Sequence, residues 1–416
     1  MPFEQFELSQ EIKKAIYERK YKEATPIQKS VIPLVLAKQD VVAMAQTGSG
    51  KSASFILPIL ELWSQTRDNA KKGKIKVLLL TPTRELTLQL EEEFRFFSKY
   101  LKTEPQIVSL IGGESIGEQL YSIQQGCDVL IATSGRFLDV LQKKQMNLSH
   151  LNYLILDEAD KMLNLDFIEQ LELILEALPS KRQNLLFSAT YPKKISDVVA
   201  KMMNNPVEVS VESSQTVQSI KQRVIEVNSE NRAPLLRHLI KTHKWKSILV
   251  FMANKRATDN IAQKFRKHGF EAASFNADLE QDIRNNTLQA FKDAKINILF
   301  ATDIAARGLD INDIECVINY ELPRSPADYI HRIGRTARAG KEGDAISFID
   351  YESQAHFKLI EKRSDIKLER ESIDGFKLEG QAPKKTKGPA PVKGKGKSKK
   401  DKLREKKAAE LKAATS

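Results

Sequence analysis

The amino-acid sequence predicts an α/β protein with two tandem domains, each built on a mostly parallel β-sheet flanked by helices. Short apolar runs alternate with amphipathic helical stretches, which is the pattern of consecutive strand–helix–strand units. The alternation stops once, near residues 206–219, and then resumes. The length of 416 residues suits roughly two to three domains of ~150 residues.

Each strand is predicted where a short apolar run is bounded by polar or turn-forming residues. In the first half of the chain the strands are predicted at 41–45, 77–81, 107–110, 129–132, 153–157 and 185–188. In the second half they are predicted at 248–251, 272–275, 296–301, 316–319 and 345–349. Helical spacing of apolar residues predicts helices at 52–63, 84–100, 254–267 and 282–292.

The composition excludes several classes of protein. Hydrophobic residues make up 41% and charged residues 29% of the chain, and no run approaches the ~18 apolar residues of a membrane helix. The first ten residues lack the basic and apolar segments of a secretion signal. Cys127 and Cys316 are the only cysteines, which excludes a disulfide framework or a Cys-rich zinc site. We therefore expect a cytoplasmic protein that does not enter a membrane.

The positive charge is concentrated in residues 381–416. This segment holds twelve Lys and one Arg against three acidic residues, a net +10, whereas the whole chain carries +12. It has no aromatic residue, so it cannot bury enough apolar surface to offset its chain entropy. We predict a disordered tail that binds polyanions without sequence preference; a tail that only aids solubility is the alternative.

The segment AQTGSGKS, 45–52, follows a predicted strand and opens a predicted helix, as a phosphate-binding loop requires. Gly48 and Gly50 allow backbone N–H groups to approach phosphate oxygens. Lys51 is placed to reach the outer phosphates, and the Ser52 hydroxyl is a candidate Mg²⁺ ligand. Ala45 stands where the general pattern has Gly.

Two further charged segments suit phosphoryl transfer. The strand YLIL ends in Asp157 and Glu158, at the sheet edge where ligands of parallel sheets bind. We predict that Asp157 holds the Mg²⁺ hydration shell and that Glu158 orients or deprotonates the attacking water. The segment HRIGRTARAG, 331–340, supplies Arg332, Arg335 and Arg338 from the second domain. On a helix, Arg335 and Arg338 would share one face and reach the nucleotide when the cleft closes.

Taken together, these motifs resemble those of the DEAD-box RNA helicases of superfamily two, most of all the bacterial members, over about residues 1–365. The resemblance implies two RecA-like domains and binding of ATP with Mg²⁺. It divides the chain into a Q-motif region (1–29), a first RecA-like domain (30–207), a linker (208–218), a second domain (219–366) and an extension with the Lys-rich tail (367–416).

The resemblance assigns a role to each motif. The implied ATP-binding residues are Phe3, Thr25, Gln28, Ala45, Gln46, Thr47, Gly48, Ser49, Gly50, Lys51, Ser52 and Asp310; Gln28 would read the adenine edge while Phe3 stacks nearby. The implied RNA-backbone contacts are Pro82, Thr83, Arg84, Gly112, Gly113, Thr133, Gly135, Arg136, Arg284 and Thr302. The residues implied to couple the ATP and RNA sites are Asp160, Ser188, Thr190, Asp303 and His331.

The chain departs from the family pattern at a few positions. Ser134 replaces a Pro, Asn276 and Ala277 replace His and Gly, and Ala337 replaces a Gly. None of these changes removes a catalytic group.

The expected function is that of an ATP-dependent RNA helicase that unwinds short duplexes or remodels ribonucleoproteins. Family analogy favours ribosome assembly or RNA turnover, with ribosomal precursor particles or RNA-decay proteins as partners. An ATP-gated RNA clamp with little unwinding, and a DNA translocase or remodeller, are the alternatives.

Overall fold

The computed structural model describes residues 1–45, 49–66, 74–162, 165–189, 193–211, 220–306, 314–337 and 342–380. These residues form two lobes, a first lobe up to residue 211 and a second lobe from residue 220. The predicted tail, 381–416, lies outside the described residues. No helix in the described part of the chain has the length and apolar character needed to cross a membrane.

The first lobe opens with a 3₁₀ helix at Phe3–Gln5. Its strands are β1 (Val41–Met44), β2 (Val77–Thr81), β3 (Ile107–Leu110), β4 (Val129–Thr133), β5 (Tyr153–Leu156), β6 (Gln183–Ser188) and β7 (Val207–Ser210). Its helices are α1 (Gln10–Glu18), α2 (Pro26–Leu36), α3 (Lys51–Gln65), α4 (Arg84–Ser98), α5 (Ile116–Gln125), α6 (Ser134–Gln142), α7 (Ala159–Met162), α8 (Leu165–Ala177) and α9 (Lys193–Met202).

The second lobe has strands β8 (Ile220–Glu226), β9 (Ile248–Met252), β10 (Ala272–Phe275), β11 (Ile298–Thr302), β12 (Cys316–Asn319), β13 (Gly343–Ile349) and β14 (Arg370–Glu371). Its helices are α10 (Arg232–His243), α11 (Lys255–Lys267), α12 (Gln281–Lys292), α13 (Asp303–Ala306), α14 (Pro326–Ile333) and α15 (Gln354–Ser364), with a 3₁₀ helix at Ser229–Asn231.

Each lobe is organised around one seven-stranded sheet. The strand orders are β3-β4-β2-β5-β6-β1-β7 and β10-β11-β9-β12-β13-β8-β14, and the paired strands run parallel in both. Successive residues of a strand point to opposite faces. Accordingly, Val77 and Leu79 of β2 belong to one apolar core whereas Leu78 and Leu80 belong to the other. Helices cover both faces, which confirms the predicted fold and explains why the strands are almost uninterrupted apolar runs.

The sheet edges differ from the expectation. Residues 206–219 were expected to break the pattern, and 208–218 to form a linker, but β7 occupies Val207–Ser210 and pairs with β1. Its residues alternate between half-buried and exposed, because only one face of this edge strand is covered. No continuous apolar run therefore marks it in the sequence. The exact domain boundaries stay a prediction.

The beginning of the predicted extension folds onto the second lobe. β14 pairs with β8, and Phe376 packs against the apolar core beneath α10. The Asn228 side chain donates to the Glu379 carbonyl at 2.9 Å. The second lobe therefore continues to residue 379, beyond the boundary near 366.

Candidate active site between the two lobes

The turn between β1 and α3 is the first part of the site. Gly50 has φ +90°, and a Cβ there would lie 2.5 Å from the Gln28 amide nitrogen, so both the conformation and the space require glycine. Lys51 is buried and its Nζ donates to the Ala45 carbonyl at 2.7 Å. Ser52 lies in the first turn of α3. The Lys51 ammonium is thus held beside the turn that it is predicted to serve. Gln46, Thr47 and Gly48 lie outside the described residues.

The predicted adenine-reading glutamine touches this turn directly. Gln28 accepts from the Thr25 N–H at 2.9 Å and donates to the Gly50 carbonyl at 3.1 Å. The first bond closes the N-terminus of α2, and the second fixes α2 against the phosphate-loop candidate. The structure therefore brings Thr25, Gln28, Gly50 and Lys51 together.

Phe3 lies elsewhere in the first lobe. Its ring is 4% exposed and stacks on Tyr21 with centroids 6.3 Å apart, while Phe6 tilts against it at 5.9 Å. These contacts join the start of the chain to the segment that leads into α2. The ring is part of the core, and its predicted stacking beside adenine stays a prediction.

Two buried carboxylates follow β5. Burial raises the pKa of Asp157 to about 6, against the opposing effect of Lys51, with Glu158 adding to the rise. For Glu158, burial also favours the neutral acid, but the cations Lys161, Arg335 and Lys51 outweigh it and lower the pKa to about 2. Glu158 is therefore an anion at neutral pH, and the positive charges around it come from both lobes.

Lys161 is a site residue that the sequence reasoning did not identify. Its Nζ lies 2.9 Å from Glu158 Oε1, and the two side chains are only 5% and 6% exposed. The sequence contained one indication of this pair: Glu158 and Lys161 are three residues apart, a spacing that places an acidic and a basic side chain on one side of a helical turn. A lysine after an acidic cluster usually belongs to a solvent-exposed pair, and nothing in the sequence indicated its burial.

The second lobe contributes Arg335 and His331. The positive charge of Arg335 lowers the pKa values of Glu158, Lys161 and His331, and Arg335 lines one small cavity together with Lys161 of the first lobe. Burial is the largest reason that the pKa of His331 falls well below its usual range. Its Nε2 lies 4.0 Å from Asp160 Oδ2, so a neutral imidazole faces that first-lobe carboxylate.

The helix that was predicted to carry Arg335 ends before this residue. α14 ends at Ile333, Arg335 follows in a turn, and Ala337 has φ +55°. Arg335 is therefore not part of the predicted helix. Arg338 itself lies outside the described residues.

Arg332 has a different function from the one its sequence position suggested. Its Nε and Nη2 donate to the two oxygens of Asp303 at 2.6 and 2.7 Å. Nη1 donates to Asn319 Oδ1 at 3.0 Å and to the Glu321 carbonyl at 2.6 Å. The guanidinium also covers the Phe251 ring. Because these donors are all used within the second lobe, Arg332 holds the carboxyl ends of β11 and β12 together and does not bind a phosphate. Asp303 is its ion-pair partner.

Several predicted nucleic-acid contacts of the first lobe form one surface. Thr83 caps α4, accepting from the Leu86 N–H at 3.3 Å, and the Arg84 guanidinium covers the glycine pair. A Cβ at Gly113, which has φ +86°, would lie 2.5 Å from Arg84 Nη1, and one at Gly112 would lie 3.1 Å from Nη2. Glycine is favoured at Gly113 by this left-handed backbone conformation, and at both glycines the missing side chain leaves room for the end of Arg84.

The next turn along this surface begins at β4. Thr133 precedes α6, and its hydroxyl donates to the Leu110 carbonyl at 3.5 Å. Arg136 donates from Nη1 to the Glu114 carbonyl at 3.1 Å and to Gln119 at 3.0 Å. The predicted residues Pro82 and Gly135 lie in these same two turns.

Arg284 links the lobes. It donates to the Asn276 carbonyl at 2.8 Å and covers the Phe275 ring, and its Nη2 forms an ion pair with Glu85 of α4. The side chains are 7% and 9% exposed. Arg284 was predicted to contact RNA, and here its charge is neutralised by the first lobe.

The remaining predicted residues are distributed as follows. Asn276 is buried and donates to Thr258 at 3.2 Å and to Asp259 at 3.1 Å, so it secures its own loop where the family pattern has His. Ser188 ends β6, and Thr302 ends β11. Thr190 and Asp310 lie outside the described residues.

The donors at the turn suit Mg²⁺ better than a transition metal. The described residues contain no group of three or more His, Cys, Asp or Glu side chains able to hold a metal. Buried Asp157 and Ser52 offer oxygen donors only, and Mg²⁺ typically binds through one or two carboxylates together with substrate phosphates and water.

Comparison with known families gives two matches. The DEAD/DEAH box helicase model matches residues 25–198, and the helicase conserved C-terminal domain matches residues 230–340. The DEAD-box ATP-dependent RNA helicase CshA of Geobacillus kaustophilus is 38% identical over 369 residues, which cover 88% of this chain and 78% of that protein. CshA of Bacillus subtilis is 37% identical over 382 residues, covering 91% and 76%.

Solved structures add information on the arrangement of the lobes. S. cerevisiae Dbp5 bound to RNA and ADP BeF3 matches with a TM-score of 0.79 at 29% identity, covering 90% of this chain and 96% of that one. Mss116p bound to ssRNA and AMP-PNP matches with a TM-score of 0.80 at 29% identity, covering 88% and 78%. A Dbp5 variant bound to Nup159, Gle1, IP6 and ADP gives only 0.61 at 29% identity, covering 88% and 96%. The TM-score is therefore higher for these two RNA-bound structures than for the ADP-bound complex with Nup159 and Gle1.

Proposed function

The chain belongs to the DEAD/DEAH box helicase family, and from this premise we propose that it is an RNA-stimulated ATPase that uses ATP hydrolysis to bind RNA strands and locally unwind short duplexes or remodel ribonucleoproteins. One observation carries the proposal. Lys161, which is paired with Glu158 of the first lobe, lines the same small cavity as His331 and Arg335 of the second lobe, so the candidate site draws its residues from both lobes.

The nucleotide would lie between these charges. Lys51 neutralises the outer phosphates, and Gln28 and Thr25 are placed at the same turn to read the adenine. Arg335 approaches from the other side, where negative charge develops as the terminal phosphoryl group is transferred. Mg²⁺, held by Ser52 and Asp157, would neutralise phosphate charge when bound.

Glu158 would act on the attacking water. The water oxygen forms a bond to the terminal phosphorus, the bond from phosphorus to the β–γ bridging oxygen breaks, and ADP departs. Glu158 is ionised at neutral pH, so it is able to accept a hydrogen bond or a proton from that water. Arg338, which lies three residues further along the sequence, would add a second cation.

RNA binding would favour the same closed arrangement. Arg84, Gly113 and Arg136 on the first lobe and Thr302 on the second offer groups for the backbone of a strand that spans both lobes. Since each ligand stabilises the state in which the other binds best, ATP and RNA binding are mutually cooperative. Backbone contacts position a strand without reading its bases, so the target is selected by other means.

We place the protein in the cytoplasm and in ribosome assembly or RNA turnover, with ribosomal precursor particles or RNA-decay proteins as partners, on family analogy. These assignments follow from the resemblance alone. Crosslinking RNA to the protein in cells and sequencing it would identify the target.

The test compares ATP hydrolysis and strand displacement in one preparation. We expect ATPase activity stimulated by RNA but not by DNA of the same sequence, together with displacement of a short RNA duplex. Equal stimulation by DNA would favour a translocase or remodeller. ATP-dependent RNA retention without displacement would identify a clamp instead. Glu158→Gln is the control, because it removes the base and keeps the fold.

A further inference from the structure

We propose that Lys161 is a positioning residue for ATP hydrolysis, which holds one oxygen of the Glu158 carboxylate so that the other oxygen faces the attacking water. The inference rests on the proposed function, since Glu158 acts on water only if the chain hydrolyses ATP. Neither the family resemblance nor the general phosphate-loop chemistry assigns a role to this lysine.

The backbone around Glu158 leaves its side chain little freedom. Glu158 has φ +53°, a conformation that non-glycine residues seldom adopt. Its N–H donates to Asp157 Oδ1 at 2.8 Å, and its carbonyl accepts from the Lys161 N–H at 2.9 Å. The turn thus places the two side chains on one side, where Lys161 Nζ reaches Glu158 Oε1 at 2.9 Å.

The two carboxylate oxygens of Glu158 have different surroundings. Oε1 is paired with Lys161, whereas Oε2 is buried without a hydrogen-bond partner in the described part of the chain. A buried, unpartnered carboxylate oxygen is costly, and such groups are tolerated where a ligand or reactant satisfies them. The asymmetry assigns Oε1 to holding the side chain and Oε2 to the reaction.

Lys161 also borders the second lobe. A cavity of about 20 Å³ between the lobes is lined by Lys161, Phe251, His331 and Arg335, among others. The lysine therefore faces the lobe that brings the arginine. Because Lys161 and Arg335 line the same cavity, losing Lys161 would leave Arg335 as the cation that draws the Glu158 carboxylate and turns its free oxygen away from the water.

The experiment measures RNA-stimulated ATP hydrolysis in Lys161→Met, which keeps the length of the side chain and removes the charge. We expect kcat to fall about 10- to 100-fold, a part of the ~10²–10⁴-fold that a positioned base contributes. The KM for ATP should change less than about threefold, because a group that acts on the transition state alone leaves substrate binding intact. Lys161→Arg should restore kcat to within about threefold, since it renews the charge–charge hydrogen bond.

Two comparisons separate positioning from a merely structural role. In a Glu158→Gln background, Lys161→Met should produce no further loss of kcat, because residues that act through one another are not additive. Lys99→Met is the matched control: Lys99 pairs with Glu18 on the surface of the first lobe, and its removal should leave kcat unchanged. Lys161→Gln provides a second neutral variant if Lys161→Met melts at a much lower temperature.

The outcomes are distinct. If the wild type is active and kcat is unchanged in both Lys161→Met and Lys161→Gln, the inference about Lys161 is wrong while the proposed function stands. The same holds if Lys161→Met lowers kcat further in the Glu158→Gln background. A wild type that hydrolyses no ATP in the presence of RNA overturns the proposed function and the inference with it.

Discussion

The ion pair between Glu85 and Arg284 should control how firmly the lobes hold together on RNA. It is nearly buried and crosses from α4 to α12, whereas Arg284 keeps its bond to the Asn276 carbonyl whether or not the lobes meet. Glu85→Gln removes the charge and preserves the shape. The variant therefore tests the contact between the lobes without altering the core of either one.

The magnitude follows from the burial of the pair. A hydrogen bond between charged groups contributes about 1.5–3 kcal/mol. We use this range rather than the ~3–5 kcal/mol for breaking a permanently buried pair, because opening the cleft returns both groups to water. At ~1.4 kcal/mol for each factor of ten, the closed state should become about 10- to 100-fold less favourable.

The assay is fluorescence anisotropy of a labelled RNA strand. With a non-hydrolysable ATP analogue, the Kd of Glu85→Gln should rise about 10- to 100-fold, and the thermal unfolding profile should not change. A double-mutant cycle with Arg284→Gln should give a coupling energy of about 1.5–3 kcal/mol. The cycle is used because it cancels the separate effect of losing the hydrogen bond from Arg284 to the Asn276 carbonyl.

The control is the pair between Lys255 and Asp278, whose side chains are 48% and 68% exposed and both lie in the second lobe. Its cycle should give about 0–1 kcal/mol. If the effects of Glu85→Gln and Arg284→Gln add to within ~0.5 kcal/mol, the pair does not couple the lobes and the reasoning fails.

Four other changes test different parts of the molecule. Lys51→Ala should abolish ATP binding, measured by calorimetry, because it removes the cation beside the phosphate turn. Glu158→Gln should retain ATP binding and trap the closed RNA complex, which would be seen as slow RNA dissociation with ATP present. Deleting 381–416 should weaken RNA binding and reduce the slope of the logarithm of the RNA-binding constant against the logarithm of salt concentration, while the two lobes keep their ATPase activity. An unchanged slope would favour a tail that only aids solubility. Glu361 has a pKa below its usual value because Arg370 donates to it, so it stabilises the fold above the ordinary pKa of 4.5 and loses that effect as the pH falls. In thermal unfolding, Glu361→Gln should therefore be less stable than wild type at pH 7, by less than ~1 kcal/mol because solvent screens the pair. In acid the two proteins should be equally stable. The same difference in stability at both pH values would contradict this prediction.

The strands were predictable because parallel sheets bury both faces. Runs such as 77–80 and 248–251 are apolar throughout, and the structure places strands at these residues. The same rule explains the failures. β7 lies at a sheet edge with half its residues exposed, and β14 has two residues, so neither has an apolar run that could mark it.

The site was predictable where chemistry depends on local sequence. The turn at Gly50 and Lys51 and the acidic pair after β5 are each formed by consecutive residues, so spacing alone places them. Lys161 and the pairing of Arg284 depend on burial and on the approach of a distant segment. The helical geometry expected for Arg335 failed for a further reason, because α14 ends at Ile333 and the turn that follows has no apolar period to reveal it.

Contacts at two separate places across the cleft constrain the lobes more than either would alone. One joins Glu85 to Arg284 on the nucleic-acid side, and the other sets His331 opposite Asp160, beside the cavity that Lys161 and Arg335 line. A single ion pair would let one lobe pivot around it, whereas two separated contacts fix both distance and rotation. A ligand shifts such an equilibrium only by its difference in affinity for the two states. It follows that weakening the Glu85 contact should lower the apparent affinity for ATP measured with RNA bound, although Glu85 touches no group at the nucleotide end.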